Sequence, residues 1–174
     1  DISDASRLDS ELSRADMETV DVGIMLSTLV GIYIAVPKED GPRFSVTVPS
    51  GDRLLVKGLE TRLGQVVRNL VTNAISFSPA GGQIAVSGGR QGNYVVFTVE
   101  DEGPGIPENK LADIFNRFYT ERPKGERFGT HSGLGLSISK QIVDAHGGTI
   151  MAENRKDADG KVLGARFTVR LPRQ

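Results

Sequence analysis

The sequence predicts an α/β sandwich of the α+β class, in which helices lie on one face of a single mixed β-sheet. Segments with helical periodicity are separated from β-rich segments, and most of the predicted strands follow one another along the chain. The 174 residues, of which 38% are hydrophobic, are sufficient for one domain with a substantial core.

The first 15 residues predict a short helical stub. Their apolar residues recur at helical or heptad-like spacing among charges, at Ile2, Ala5, Leu8 and Leu12. Such a narrow apolar seam needs a partner helix, and the chain begins without Met inside this helix. We therefore expect a fragment of a longer protein, with a stub at residues 1–15 and a main domain at residues 16–174.

The first half of the main domain alternates helices and strands. Asp21 is the expected N-cap of a buried helix, VDVGIMLSTLVGIYIAV, that ends before the turn PKEDGP. Short strands follow at RFSVTVP and at DRLLVKG, which Gly58 closes. The clearest helix runs from Leu59 to Phe77. Its apolar face consists of Leu63, Val66, Val67, Leu70, Val71 and Ala74.

The second half completes the sheet. The segment GQIAVSGGRQGNYVVFTVED predicts two strands around a Gly-rich turn, and PENKLADIFNRF predicts a short helix that Pro107 begins. After a polar stretch from Tyr119 to Ser132, a helix is expected from Gly133 to Ala145. The last strands are expected near residues 148–154 and 164–172.

The composition argues against several classes of partner. The 21 Lys and Arg residues balance 22 Asp and Glu residues, so no charge excess indicates nucleic acid as a partner. Zero cysteines exclude disulfides and thiolate metal sites, and two His residues make a zinc centre improbable. No apolar run approaches the roughly 20 residues that a membrane-spanning helix needs. We expect a soluble fragment, whose parent could still span a membrane.

A polar stripe follows the apolar face of the long helix. At about 100° per residue it consists of Gln65, Asn69, Thr72, Asn73 and Ser76. Mg²⁺ takes only one or two protein ligands when phosphates supply the other oxygens. Asn73, together with Asn69, is therefore a candidate Mg²⁺ ligand, although a solvated helix face has the same pattern.

The segment EDEGPGIP follows a β-rich run. Asp101 at the end of that strand could accept a hydrogen bond from an exocyclic amine. Gly103 and Gly105 leave room for a flat ring to approach the backbone, which would suit adenine. An acidic turn of turn-forming residues explains the segment equally well.

The segment GTHSGLGLSI places Gly133 and Gly135 where a helix begins, so that the N–H groups of residues 134–136 could face phosphate oxygens. Ile138 stands where a dinucleotide fingerprint needs its third Gly, and no Lys-Ser or Lys-Thr pair of a P-loop follows. The preceding polar stretch could form a cationic lid over a triphosphate. Its cations are Arg117, Arg122, Lys124 and Arg127. A plain Gly-rich turn after a solvated loop remains the alternative.

Taken in order, four segments resemble the N, G1, F and G2 boxes of sensor histidine kinases. They are QVVRNLVTNAISFSP, DEGPGI, IFNRFY and GTHSGLGLSISKQIVDAHGG. The resemblance covers about residues 16–174 and implies the Bergerat ATP-binding fold, shared with gyrase, Hsp90 and MutL in the GHKL superfamily. The segment RFGTHSGLGLSISKQIV resembles the ChvG type of alphaproteobacterial envelope sensor kinase in particular.

The resemblance implies a role for each matched residue. Asn73 would coordinate Mg²⁺ with support from Asn69, and Asp101 would bind the adenine amine. Phe115 and Phe118 would anchor the start of the lid. The other residues implied in nucleotide binding are Ser76, Phe77, Gly103, Gly105, Ile106, Tyr119, Arg122, Thr130, His131, Ser132, Gly133, Leu134, Gly135 and Leu136.

Two positions depart from the family pattern. Ser76 stands where these kinases commonly carry a Lys or Arg that reaches phosphate, so that cation must come from elsewhere, for example from Arg68 or the lid, or phosphate binding is weaker. Ser132 replaces the Thr of a GTGLGL box and keeps a hydroxyl.

Three further residues bear on which superfamily member this is. The ATPases of this fold place a general-base Glu one turn before the Mg²⁺ ligand, where this chain has Asn69. Neither histidine has the context of a phosphoacceptor: His131 lies in the lid region, and His146 is expected at the C-terminal end of a helix. The resemblance therefore implies a kinase ATP-binding domain without its acceptor His.

The resemblance also implies the setting of the domain. Its partners would be the dimerisation and phosphoacceptor domain of the same kinase and a downstream response regulator, and the parent would be a homodimer. The domain would lie on the cytoplasmic side of a bacterial inner membrane. A GHKL ATPase and a non-catalytic nucleotide-binding module remain alternatives.

Overall fold

The computed structural model describes residues 16–116 and 135–174. In chain order the elements are β1 (Glu18–Asp21), α1 (Val22–Ala35), β2 (Arg43–Thr47), β3 (Leu55–Gly58), α2 (Glu60–Phe77), β4 (Gln83–Gln91), β5 (Tyr94–Glu100), α3 (Gly135–Ala145), β6 (Thr149–Lys156) and β7 (Val162–Pro172), with one turn of 3₁₀ helix at Glu108–Lys110. The predicted stub at residues 1–15 lies outside the described residues.

The main sheet has five strands in the order β2, β4, β5, β7, β6. β2 runs parallel to β4, whereas the other neighbours are antiparallel, so the sheet is mixed as predicted. β5 and β7 occupy the middle, and their alternate residues Val95, Phe97, Phe167 and Val169 are buried under the helices. The predicted fold class is confirmed.

The helices pack on this sheet through the faces that their sequences predict. Asp21 caps α1, because its side chain accepts a hydrogen bond from the backbone N–H of Ile24 at 3.2 Å. On α2, the apolar face predicted from Leu63 to Ala74 is buried throughout. Gly88 of β4 lets α1 approach, since a Cβ there would lie 2.8 Å from Leu26 Cδ1.

Two details differ from the prediction. The segment PENKLADIFNRF forms only the 3₁₀ turn and irregular turns up to residue 116. β1 was not predicted, and it pairs with β3 in a separate two-stranded sheet. An isolated bridge between Val56 and Arg173 joins this small sheet to the end of β7. The helix expected from Gly133 is described from Gly135 onward.

Within residues 16–116 and 135–174, none of the helices combines the length and the apolar character needed to cross a membrane.

Candidate functional site

A cleft of about 500 Å³ lies between α2, the loop after β5, the start of α3 and the ends of β6 and β7. Its polar lining residues are Asn73, Asp101, Glu108 and Asn154. The rest of the lining is apolar or glycine and consists of Phe77, Pro104, Gly105, Ile106, Pro107, Ile114, Leu136, Val162, Ala165 and Phe167. A largely apolar wall with a few fixed polar groups suits a flat, partly polar ligand.

Asp101 directly follows β5, at the inner end of the cleft, and is only 2% exposed. Its Oδ1 accepts hydrogen bonds from the backbone N–H of Gly103 at 2.9 Å and of Ala165 at 3.1 Å. Across residues 16–116 and 135–174, Oδ2 has no hydrogen-bond partner. A buried carboxylate oxygen without a partner is costly, so it indicates a ligand that donates a hydrogen bond there.

Burial raises the pKa of Asp101 above its ordinary value, because the charged form loses hydration. The N–H groups of Gly103 and Ala165 and the positive charge of Arg155 oppose this rise, since each favours the carboxylate. The site therefore holds an acid whose charged form is supported by three neighbours but still lacks one hydrogen-bond donor.

The two asparagines of α2 lie one helical turn apart, as predicted. Asn73 is 9% exposed and lines the cleft, and its carboxamide has no hydrogen-bond partner in the described part of the chain. Asn69 lies nearer to α3, where its Nδ2 donates to the backbone oxygen of Gly135 and to Ser139 Oγ, both at 3.2 Å. The Oδ1 atom of Asn69 accepts no hydrogen bond from the residues that the structure describes.

This donor set fits Mg²⁺ only together with phosphate. The described residues contain no cluster of three or more His, Asp or Glu side chains that could bind a metal ion by themselves, without oxygens from a bound nucleotide. One or two neutral amide oxygens suffice for Mg²⁺ where phosphates provide most of the coordination and the charge.

The glycines of the loop after β5 leave space at this end of the cleft. A Cβ on Gly103 would lie 2.5 Å from the backbone oxygen of Phe77, so a side chain there would push the loop away from α2. Gly105 has a φ of +83°, and a Cβ there would lie 2.6 Å from Val162 Cγ1. Both positions therefore favour glycine for reasons of internal packing, and the approach of a flat ring to this backbone stays a prediction.

Of the predicted site residues that the structure describes, six line the cleft and four do not. The lining residues are Asn73, Phe77, Asp101, Gly105, Ile106 and Leu136, and the others are Asn69, Ser76, Gly103 and Gly135. Ser76 and Phe77 lie in the last turn of α2, and Phe77 lines the cleft together with Ile106. Gly135 and Leu136 begin α3, and Leu136 also lines the cleft. The other predicted residues, at positions 117–134, lie outside the described part: Phe118, Tyr119, Arg122, Thr130, His131, Ser132, Gly133 and Leu134.

Several lining residues were not predicted from the sequence, because they come from β6 and β7. They are Asn154, Val162, Ala165 and Phe167. Phe167 also packs edge-on against Phe115, with ring centroids 6.1 Å apart, and so ties the residue predicted to begin the lid to the central sheet. Only the β periodicity of these segments was readable, and it does not reveal which side chain reaches the cleft.

The protein-family model described as "Histidine kinase-, DNA gyrase B-, and HSP90-like ATPase" matches residues 58–174. The chain belongs to this family. The matched range contains Asn69, Asp101 and every residue that lines the cleft.

Comparison with individual proteins shows which members of this family the chain is similar to. The chain is 47% identical to the Sensor protein ChvG of Rhizobium meliloti (strain 1021), over 99% of this chain and 31% of that protein. It thus spans about a third of the length of this relative. The predicted resemblance to sensor histidine kinase ATP-binding domains is confirmed.

Solved structures of histidine kinases are similar in fold to this chain. The catalytic domain of histidine kinase ThkA superposes with a TM-score of 0.76 at 28% identity, covering 91% of this chain and 97% of that one. ThkA in complex with the response regulator protein TrrA matches with a TM-score of 0.74 at 26% identity, over 99% of this chain and 47% of that one.

Proposed function

We propose that this chain binds Mg²⁺-ATP and presents the γ-phosphate to the phosphoacceptor His of a two-component sensor kinase, a His that lies outside this fragment. The observation that carries the proposal is a pair of buried polar groups in one cleft, Asp101 Oδ2 and the Asn73 carboxamide, neither of which has a hydrogen-bond partner among residues 16–116 and 135–174. Asp101 Oδ2 can accept a hydrogen bond from the exocyclic amine of adenine. The other suits a phosphate-bound magnesium ion.

The adenine would lie at the Asp101 end. Its exocyclic amine would donate to Oδ2, and the apolar walls formed by Ile106, Val162 and Phe167 would cover the ring faces. Gly103 and Gly105 keep that space open. A charge-assisted hydrogen bond of this kind contributes about 1.5 to 3 kcal/mol.

The magnesium ion would be held by Asn73, with Asn69 as a second oxygen ligand. The Nδ2 of Asn69 is already engaged with α3, which leaves its Oδ1 for the metal. When bound, Mg²⁺ supplies charge neutralisation to the phosphates. The chain's own contribution is to orient the nucleotide and to exclude water from the adenine end.

The phosphates would lie toward the start of α3. The N–H groups of residues 133–136 would cradle them, and Tyr119, Arg122, Thr130, His131 and Ser132 would close over them as part of a lid. The assignments of residues 130–136 rest on the resemblance of the GTHSGLGLSI segment to a G2 box, and those of Tyr119 and Arg122 rest on the polar stretch expected to form the lid.

The remaining parts of the proposal concern the longer protein to which this chain would belong. The chain spans about a third of its ChvG relative. The resemblance of residues 1–15 to the end of a dimerisation hairpin supports a dimerisation and phosphoacceptor domain as the neighbouring part of the parent. The parent would be a homodimeric sensor on the cytoplasmic side of a bacterial inner membrane. The ThkA complex with TrrA supports a response regulator as the downstream partner.

Nucleotide titration, with and without Mg²⁺, tests the core of this proposal. We expect ATP to bind with Mg²⁺-dependent affinity, and Asp101→Asn to weaken it by roughly 1.5 to 3 kcal/mol. Arg90→Gln is a suitable control, because its exposed ion pair with Asp52 involves none of the residues that line the cleft. An unchanged affinity in Asp101→Asn would contradict the adenine assignment.

A transfer assay then separates the kinase from its rivals. The fragment is mixed with labelled ATP and a separate domain that carries the acceptor His, and both phosphoryl-His and free phosphate are measured. Transfer to that domain supports the kinase. Rapid hydrolysis of ATP without transfer would support an ATPase, although Asn69 replaces the general-base Glu. Nucleotide binding without either reaction would support a non-catalytic module, an alternative suggested by Ser76 in place of a phosphate-binding Lys or Arg.

A further inference from the structure

Two successive residues of β6 hold the loop that follows β5. The Asn154 carboxamide makes a two-point contact with the backbone of Ile106: Oδ1 accepts from the N–H and Nδ2 donates to the carbonyl oxygen, both at 2.7 Å. This contact satisfies both backbone groups of a loop residue that belongs to no sheet. It also fixes the residue that follows Gly105.

Arg155 holds the other end of the same loop. Its Nη1 donates to the backbone oxygen of Asp101 at 2.6 Å, and its Nε lies 2.9 Å from Glu100 Oε2. Its side chain is only 25% exposed. The guanidinium thereby connects β6 to the residue that carries the unpartnered carboxylate oxygen.

The two residues lie beside an irregularity of the sheet. The pairing of β6 with β7 shifts between Arg155 and Lys156, where β7 has an additional residue. Two consecutive side chains of β6, which would point to opposite faces in a regular strand, contact the two ends of one loop.

We propose that Asn154 and Arg155 are positioning residues for the adenine pocket, which clamp loop 101–106 at its two ends so that Asp101 faces the exocyclic amine. This inference rests on the proposed function. The carboxamide of Asn154 and the guanidinium of Arg155 are both bonded to the backbone of this loop, so both would act through the loop.

Arg155 has an additional electrostatic effect on the site. Its positive charge lowers the pKa of Asp101 against the stronger effect of burial. Among the described residues, the other charged groups at this end come from β5, β6, β7 and the loop after β5. Glu100 on β5 is paired with Arg166 on β7 at 2.9 Å. The loop after β5 carries Glu102, which accepts a hydrogen bond from the Gln83 N–H, and Glu108, which lines the cleft and is paired with Lys156 of β6 at 3.0 Å. The residues of α2 that line the cleft, Asn73 and Phe77, carry no charge. Without Arg155, Asp101 takes up a proton at a higher pH.

Inosine triphosphate provides the discriminating probe, because it carries a carbonyl oxygen in place of the adenine amine and has the same phosphates. For Asn154→Ala we expect ATP affinity to fall about tenfold and inosine triphosphate affinity to fall less than about twofold, since one charge-assisted hydrogen bond corresponds to a tenfold effect or more. A merely structural role would weaken both nucleotides together, and that result would overturn the assignment of Asn154.

The pH dependence of the same affinity ratio tests Arg155. As pH falls, protonated Asp101 loses its preference for the amine, and the titration of the phosphates cancels in the ratio. We expect Arg155→Gln to move the midpoint of this loss to higher pH, Arg155→Lys to remain nearer the wild type because it keeps the charge, and Arg90→Gln to leave the midpoint unchanged. Equal midpoints in wild type and Arg155→Gln would overturn the assignment of Arg155.

The two levels of the proposal fail differently. If the wild-type protein binds neither nucleotide, the proposed function is wrong. If it prefers ATP and both variants retain that preference and its midpoint, only the positioning role is wrong. Circular dichroism of each variant verifies that the fold is intact.

Discussion

The imidazole of His146 accepts a hydrogen bond at Nε2 from the backbone N–H of Leu59, 87 residues earlier, at 3.1 Å. Because Nε2 accepts, the ring proton is on Nδ1, which donates to the backbone oxygen of Ile142 at 2.7 Å. The residue after α3 is thereby joined to the residue before α2. Gly58 permits this approach, since a Cβ there would lie 2.7 Å from the His146 ring.

His146→Ala should therefore destabilise the protein without altering the cleft. The partly buried Leu59 N–H would be left without this partner, and an unsatisfied group of this kind costs about 1 to 3 kcal/mol. Urea denaturation measures the loss, and Lys140→Ala, which removes an exposed ion pair with Asp144 on the same helix, should cost less than about 0.5 kcal/mol. Equal stability losses in the two variants would contradict the bridging role.

Gly103→Ala should reduce both stability and nucleotide affinity. The new methyl would meet the Phe77 backbone oxygen, so the loop or α2 must move, at a cost of about 1 to 3 kcal/mol. Thermal unfolding and ATP titration provide the measurements. Gly89→Ala on β4 is the matched control, because a Cβ there meets nothing within 4 Å, and it should leave both quantities unchanged.

The elements that the sequence predicted well are those whose burial pattern is local. α2 could be predicted almost to the residue, since six apolar positions at helical spacing face the sheet. The segment after Pro107 has similar spacing, but Ile114 is buried and Phe115 packs on Phe167, so tertiary contacts override the helix. β1 has only four residues, too few for a readable alternation.

In the candidate site, too, some residues could be predicted from the local sequence and others could not. Asn73 and Asp101 could be predicted because each lies in a short motif whose residues act together. Asn154 and Arg155 could not, since their contacts with the loop after β5 join residues 48 and 54 positions apart. Only the folded sheet brings these segments together.

The raised pKa of Asp101 predicts how the free protein responds to pH. A carboxyl whose pKa is raised by folding contributes stability that is fully present below the unfolded pKa and is lost as pH rises through the folded pKa. Asp101→Asn avoids this loss, so the variant should become more stable relative to wild type as pH rises from acidic to neutral. Thermal midpoints without nucleotide measure the difference. Saturating Mg²⁺-ATP should reverse the order, because only the wild type gains fully from binding.

Asn73→Ala should show the opposite of the His146 phenotype. The Asn73 carboxamide has no hydrogen-bond partner within the described residues, so its removal breaks no internal bond and should change stability by less than about 1 kcal/mol. ATP affinity measured with Mg²⁺ should instead fall to the value measured without it. A buried polar group that forms internal bonds, as His146 does, stabilises the fold, whereas one left unpaired at a cleft is available to a ligand. If Asn73→Ala lowers the stability by several kcal/mol while the folded variant retains Mg²⁺-dependent binding, Asn73 is structural and the magnesium assignment is wrong.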